Sequence, residues 1–252
     1  MTKVISIANH KGGVGKTTTT VNLSAGLNRN GRRILCIDLD PQANLTQSLG
    51  ITDFESSVYD SLTQNSDLVP VNYREGFDVI PSHINLSGAE VELINEPGRE
   101  YILKGLLKKI KDNYDFVFID CPPSLGLLTI NAFVASDKLF IPLQAEYLAT
   151  QGLARLMDVI NKVNERINPE FNLGGVILTQ FNKRLILNKD IAKVIEKHFG
   201  PILYSSTIRE NIALAEAPSL GQDIFEYSPN SNGAFDYSQL TKEFIKRMDQ
   251  YV

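Results

Sequence analysis

Three groups of residues in this chain have the types and spacing for phosphoryl-transfer chemistry. The first is the run His10-Lys11-Gly12-Gly13-Val14-Gly15-Lys16-Thr17-Thr18. Glycines let a backbone turn tightly enough for several N–H groups to converge on one oxyanion. Lys16 would reach the β- and γ-phosphates of a nucleotide, the Thr17 hydroxyl would hold Mg²⁺, and Thr18 is placed for the α-phosphate. The second group is Asp38 and Asp40, at the end of the apolar run Ile34-Leu35-Cys36-Ile37. Two carboxylates there are costly unless they serve a metal ion or a water. The third is Asp120, which closes Phe116-Val117-Phe118-Ile119. An acid ending an apolar strand downstream of a phosphate loop is placed to contact Mg²⁺ through its water shell.

Such residues work only if regular elements deliver them to one place. Val4-Ile5-Ser6-Ile7-Ala8 reads as a buried strand and residues 16–29 as a helix ended by Asn30-Gly31. Strand, glycine loop and helix form the context a phosphate-binding loop requires, with the positive end of the helix dipole on the anion. Strands over 33–38 and 116–120 carry their acids to their carboxyl ends, where ligands sit in open α/β sheets. Hydrophobic pattern and turn residues predict further strands over 77–81, 138–143, 173–179 and 202–208. Helices are expected over 86–94, 99–111, 125–135, 150–166, 188–199 and 234–251, and a polar connection over 51–75 with a short helical piece near 58–62.

The loop departs from the standard P-loop pattern at its first position, where His10 replaces glycine, and it contains a second lysine, Lys11. Lys-Gly-Gly-Val-Gly-Lys-Thr-Thr over residues 11–18 resembles the deviant Walker A box of the ParA/MinD family. Residues 38–44 and 120–126 resemble that family's two switch regions, and Glu216-Ala217-Pro218-Ser219 a stretch near its nucleotide base. The resemblance runs over nearly the whole chain. It implies an α/β fold, a doubly wound, mostly parallel sheet flanked by helices, as a single domain over residues 1–252. It implies an ATPase using ATP and Mg²⁺, in which Asp40 positions the attacking water and Asp38 supports the metal site beside Thr17 and Asp120. It also implies a homodimer formed on ATP binding, each subunit sending Lys11 to the other's nucleotide. There the lysine would act as an arginine finger does, adding positive charge where transition-state charge spreads. Gln144 and Glu146 resemble positions near the dimer face, and residues 180–184 sit where relatives contact the adenine or that face.

The 252 residues, 43% hydrophobic and 21% charged, suit a globular protein with a sizeable core. Lys3 is followed at once by the first strand, which reads as the absence of a signal peptide and of any preceding DNA-binding domain, and gives a cytoplasmic expectation without autorepression. No apolar run is long enough to span a bilayer, so stable membrane insertion is not expected. Cys36 and Cys121 do not suit a shared iron–sulfur cluster; a reduced, metal-free pair is the favoured reading.

A net charge of −4 argues mildly against nucleic acid as a partner, yet footprints are local. Lys189, Lys193 and Lys197 recur at four-residue spacing, with Lys183 and Arg184 just before them. That spacing serves a phosphate-backbone patch or a solvated helix face equally. The family resemblance implies non-specific double-stranded DNA as a partner of the ATP dimer, which would then be nucleoid-associated. It implies a ParB-type centromere-binding protein that stimulates hydrolysis and release. Relatives commonly carry arginines where this chain has Glu210 and Ala213, so DNA contact would lean on the five residues above with Lys242, Lys246 and Arg247. The alternative is a MinD-like membrane-associated or other cargo-positioning ATPase. Its requirement, a membrane-lying helix over 234–251, competes with packing of the Leu240, Phe244 and Met248 stripe on the sheet, which is the favoured reading.

Overall fold

The computed structural model describes residues 2–64, 66–146 and 149–249. Four five-residue or shorter apolar runs become the centre of one seven-stranded sheet, because strands covered on both faces read as continuous hydrophobic stretches. In chain order the elements are β1 (Lys3–Ile7), α1 (Lys16–Arg29), β2 (Ile34–Asp38), α2 (Asn44–Ser48), α3 (Val58–Thr63), β3 (Val71–Arg74) and β4 (Phe77–Ile80). There follow α4 (Leu86–Glu92), α5 (Ile102–Leu107), β5 (Phe116–Asp120), α6 (Leu127–Ala135), β6 (Lys138–Gln144) and α7 (Ala149–Arg166). The chain closes with β7 (Asn172–Thr179), α8 (Ile186–Phe199), α9 (Ile212–Glu216), α10 (Ile224–Tyr227) and α11 (Asn232–Asp249). The sheet order is β3-β4-β2-β5-β1-β6-β7. Every pairing is parallel except β3 with β4 at one edge.

Helices cover both faces, as a parallel sheet requires. One core joins the sheet to α3 through α8, with Leu103, Phe133, Leu156 and Ile195 among its members. The other joins it to α1, α2, α10 and α11, with Leu23, Leu45, Ile224 and Phe244. The apolar stripe of α11 is therefore internal: Leu240, Phe244 and Met248 are buried. The Phe244 ring lies 5.4, 6.0 and 5.4 Å from those of Phe116, Phe118 and Phe140. That burial removes the surface a membrane-lying helix would need. Helices α1 and α11 approach so closely that a Cβ at Gly26 would meet Thr241 Oγ1 at 2.2 Å.

Four expectations need correction. The strand placed over 202–208 is not a strand: it makes one isolated bridge, Val176 to Leu203. Tyr204 and Ile208 do donate to the β7 carbonyls of Val176 and Leu178, each at 2.8 Å. Between them, however, the Ser205 and Ser206 N–H groups donate to the two Glu243 carboxylate oxygens of α11, at 2.9 and 2.8 Å, and the ladder stops. The polar connection over 51–75 contains the edge strand β3, whose half-exposed residues lack a buried strand's apolar signature. The helix over 99–111 contracts to Ile102–Leu107, with short 3₁₀ turns on either side. Helix α2, inside the segment read as a switch, was not anticipated. Residues 250 and 251, at the end of the expected final helix, lie outside the described residues. Among the described residues no helix is long and apolar enough to cross a membrane.

Candidate active site

The glycine loop joins β1 to α1 at the carboxyl end of the sheet, and one buried side chain sets its start. Asn9 donates from Nδ2 to the Pro142 carbonyl at 2.7 Å, and its Oδ1 accepts the Lys11 N–H at 3.0 Å, tying the loop to β6. Gly15 ends the loop with φ +85°, a left-handed conformation in which a Cβ is strained, and so starts α1. No side chain caps this helix. Its first N–H groups therefore face the loop interior as donors for an anion. Lys16 is buried, and its Nζ has the Lys11 carbonyl at 3.4 Å as a weak partner. A buried ammonium so poorly satisfied fits phosphate oxygens.

The acids meet behind that lysine. Asp38 and Asp120 are in register on neighbouring strands β2 and β5 and are fully buried. Asp120 Oδ2 accepts the Thr17 hydroxyl at 2.6 Å and its Oδ1 accepts the Thr20 hydroxyl at 3.2 Å. Burial raises the Asp120 pKa to about 8, with the Asp38 charge adding and the Thr17 hydrogen bond opposing. Asp38 is engaged by its own strand's continuation: its Oδ2 accepts the Thr46 N–H and hydroxyl at 2.9 and 2.7 Å, and its Oδ1 the Asp40 N–H at 3.2 Å. Its pKa rises to about 6, by burial against these hydrogen bonds. Buried acids held this far above their ordinary range fit a site completed by a cation.

Both carboxyls keep their protons to higher pH in the folded protein than in the unfolded chain. Between about pH 4 and pH 8 the unfolded state therefore binds fewer protons, and the nucleotide-free protein loses stability as pH rises through that window. Asp120→Asn should raise the melting temperature at about pH 8 by about 2–8 °C and flatten its decline from about pH 6. Differential scanning calorimetry across that range measures it, and an unchanged or lower value at the alkaline end is the contrary result.

Asp40 stands at the mouth of the same site, 7% exposed. Its Oδ1 accepts the Gln42 N–H at 3.0 Å and its carbonyl accepts the Ser82 hydroxyl at 2.8 Å. The turn role expected of this side chain is therefore present in the structure.

Lys11 lies at the rim, its side chain 48% exposed. Its Nζ donates to Gln144 Oε1 at 2.8 Å and pairs with Glu146 at 2.6 Å. Gln144 and Glu146, expected near a dimer face, are therefore Lys11's partners within the protomer. Beside the loop a cavity of about 330 Å³ is lined by Thr18, Gln180, Arg209, Asn211 and Tyr237 among others. Thr18 thus faces this cavity's side of the loop. Tyr237, absent from the sequence reading, reaches it from α11 and has its hydroxyl 3.3 Å from Thr19 Oγ1. Nothing in its local sequence distinguishes it from a core aromatic.

The arrangement has counterparts. A family model described as an AAA domain matches residues 2–173. The chain is 46% identical to the sporulation initiation inhibitor protein Soj of Bacillus subtilis, over 96% of this chain and 98% of that protein. It is 42% identical to the chromosome partitioning protein ParA of Caulobacter vibrioides, over 97% of this chain and 94% of that protein. The chain belongs to the ParA/Soj family of partition ATPases. Its fold is that of the crystal structure of a cobyrinic acid a,c-diamide synthase from Mycobacterium smegmatis with bound ADP and magnesium. The two agree with a TM-score of 0.87 at 33% identity, over the whole of this chain and 97% of that one. That name denotes another activity, as one nucleotide-binding fold can host many.

Outside the loop, the structure separates the expected basic residues and engages one of them. The eight basic residues do not form one surface: α8 packs on one face of the sheet and α11 on the other. Lys183, Arg184, Lys189, Lys193 and Lys197 are exposed, as are Lys242 and Lys246. Arg247 is not available as expected. Its guanidinium donates to the Pro201 and Leu203 carbonyls and to Glu243, at 2.7, 2.9 and 2.6 Å, and lies over the Tyr204 ring at 4.1 Å. It braces the 201–206 segment against α11. Of the two departures from the family pattern, Glu210 is exposed beside the cavity, and Ala213 packs partly buried against the second core.

Proposed function

We propose that this ParA-type protein is an ATP- and Mg²⁺-dependent partition ATPase whose ATP-bound dimer holds non-specific double-stranded DNA until a ParB-type partner triggers hydrolysis. The observation that carries the reading is the pairing of two lysines with different surroundings in one loop: Lys16 buried over Thr17 and Asp120, Lys11 half-exposed at the rim. Lys16 and the α1 N-terminus take the phosphates of their own subunit. Thr17, with Asp120 and Asp38 behind it, holds the metal, which when bound draws charge from the β- and γ-phosphates. Asp40 orients the attacking water, and Lys11 leaves Glu146 to reach the partner subunit's nucleotide. Closure of two subunits then doubles the exposed lysines presented to DNA, adding avidity. The bound ADP and magnesium of the M. smegmatis neighbour support this choice of cofactor. The buried α11 stripe favours DNA over a membrane as the track.

The testing experiment is binding to random-sequence duplex with ATP, ADP or no nucleotide over a salt series. Binding should require ATP. Six α8 lysines per dimer, Lys189, Lys193 and Lys197 from each subunit, should give a log–log salt slope of about −5, hence about a thousandfold loss between about 50 and 200 mM salt. Replacing the three by alanine should flatten that slope, whereas Arg247→Ala should lower stability and leave the slope alone. ATP-independent binding overturns the ATP-bound dimer as the state that holds DNA, and no binding at low salt overturns DNA as the partner.

A further inference from the structure

Gln180 is one of two non-glycine residues with positive φ among the described residues, at +50°. It follows β7 directly and lines the cavity beside the loop. An L side chain persists in that conformation when its surroundings over-determine it. Here they do so through hydrogen bonds. Gln180 Nε2 donates to the Gly13 carbonyl at 2.8 Å. Gln180 Oε1 accepts from Gln144 Nε2 at 2.6 Å. Gln144 Oε1 accepts from Lys11 Nζ at 2.8 Å. Gln144 Nε2 also has the Gly13 carbonyl at 3.4 Å, and Gln144 is buried.

The polarity of this chain admits one arrangement. A carbonyl can only accept, so Gln180 must turn its NH₂ to Gly13 and its oxygen to Gln144. Gln144 must then give its NH₂ to Gln180, which leaves its oxygen for Lys11. An ammonium can only donate, so the far end demands the same orientation. Both ends agree, and each amide's orientation is set by its neighbours.

We propose that Gln180 is a positioning residue for Lys11: by orienting the buried Gln144 amide it holds the Lys11 ammonium on its own subunit until nucleotide enters the cavity it lines. Gln180 does not touch Lys11 and acts through Gln144. The site at which it acts is also the loop that grips the nucleotide, since Gly13 is its anchor. Occupation of the cavity therefore competes for the group that fixes where Lys11 is held. The inference rests on the reading of Lys11 as the residue passed to a partner subunit, but its test does not.

The experiment measures the acylation rate of the Lys11 amine by mass spectrometry, on nucleotide-free full-length monomer, for wild type and Gln180→Gly. Glycine suits positive φ, so this variant removes the side chain while relieving the backbone, and its melting temperature should not fall. Lys11 labelling should rise by about threefold to tenfold, the worth of one ordinary hydrogen bond lost from the chain that holds it, with Lys16 unchanged. Gln180→Asn, which tolerates the same backbone and is too short to span Gly13 and Gln144, should behave alike. In wild type, adding ADP, which fills the cavity without the γ-phosphate that draws two subunits together, should raise Lys11 labelling as the variant does, and in Gln180→Gly it should add little. Unchanged Lys11 labelling in both variants overturns the proposal. Normal ATP turnover by Lys11→Ala would instead overturn the trans reading, leaving the positioning result standing.

Discussion

Lys11→Ala should bind ATP as wild type does and hydrolyse it at least about 10³-fold more slowly, in the range seen when a charge supplied in trans to a phosphoryl transfer is removed. The reason is the division of labour in the loop. Lys16 is buried over Thr17 and Asp120, which on the proposed reading places it on its own subunit's phosphates. Lys11 is half-exposed and tied to Gln144 and Glu146, so its truncation costs the own-subunit site little. An ammonium reaching the γ-phosphate from a second subunit acts where charge spreads in the transition state, and its loss falls on turnover and on the ATP-dependent dimer together. Equilibrium nucleotide binding, sedimentation with ATP and phosphate release separate the three quantities. Turnover within about threefold of wild type would remove Lys11 from the chemistry.

Asp40→Ala should lose about 10²- to 10⁴-fold in hydrolysis, the usual contribution of a group that positions or deprotonates a nucleophile, while retaining ATP and the dimer. Because Asp40 also holds the Gln42 N–H, alanine removes a turn as well as a carboxylate. Asp40→Asn separates the two roles. Its side-chain oxygen can still accept from Gln42, as asparagine does in such turns, but it cannot take a proton from water. Loss of turnover in both variants with ATP still bound assigns the water to Asp40. Normal hydrolysis by Asp40→Asn would leave it a turn residue alone.

How much of this was legible beforehand follows from the range of the forces involved. Helix α1 and strand β5 were read to the residue, since a glycine loop before Lys16 and an acid after Ile119 are local signals written in consecutive positions. Strand β3 was missed because an edge strand is only half-buried and carries no apolar run. The segment 202–208 has the apolar content of a strand, and only Glu243, thirty-odd positions later in α11, takes the two N–H groups that would have continued the ladder. Arg247 illustrates the same limit for function. Its charge and its place on a helix suit DNA, and the Pro201 and Leu203 carbonyls that occupy it are brought there by the fold. Gln180 was legible as part of a segment near the nucleotide; that its side chain bridges the loop to Gln144 was not.

The sequence by itself determined the strand–glycine-loop–helix unit, the acids at the ends of β2 and β5, the α/β sheet and, through the Lys11-to-Thr18 box, the family. These depend on residue order along single strand–loop–helix units, where a glycine's φ, a helix start and a buried apolar run are set within a few positions. The tertiary structure alone decided which surface is free and which charge is engaged. It buried the α11 stripe on three phenylalanines, put the two basic helices on opposite faces, and set Lys11, Gln144, Gln180 and Gly13 in one hydrogen-bonded chain. Those outcomes depend on partners far apart in sequence, whose donors and acceptors meet only after the sheet has brought their strands side by side.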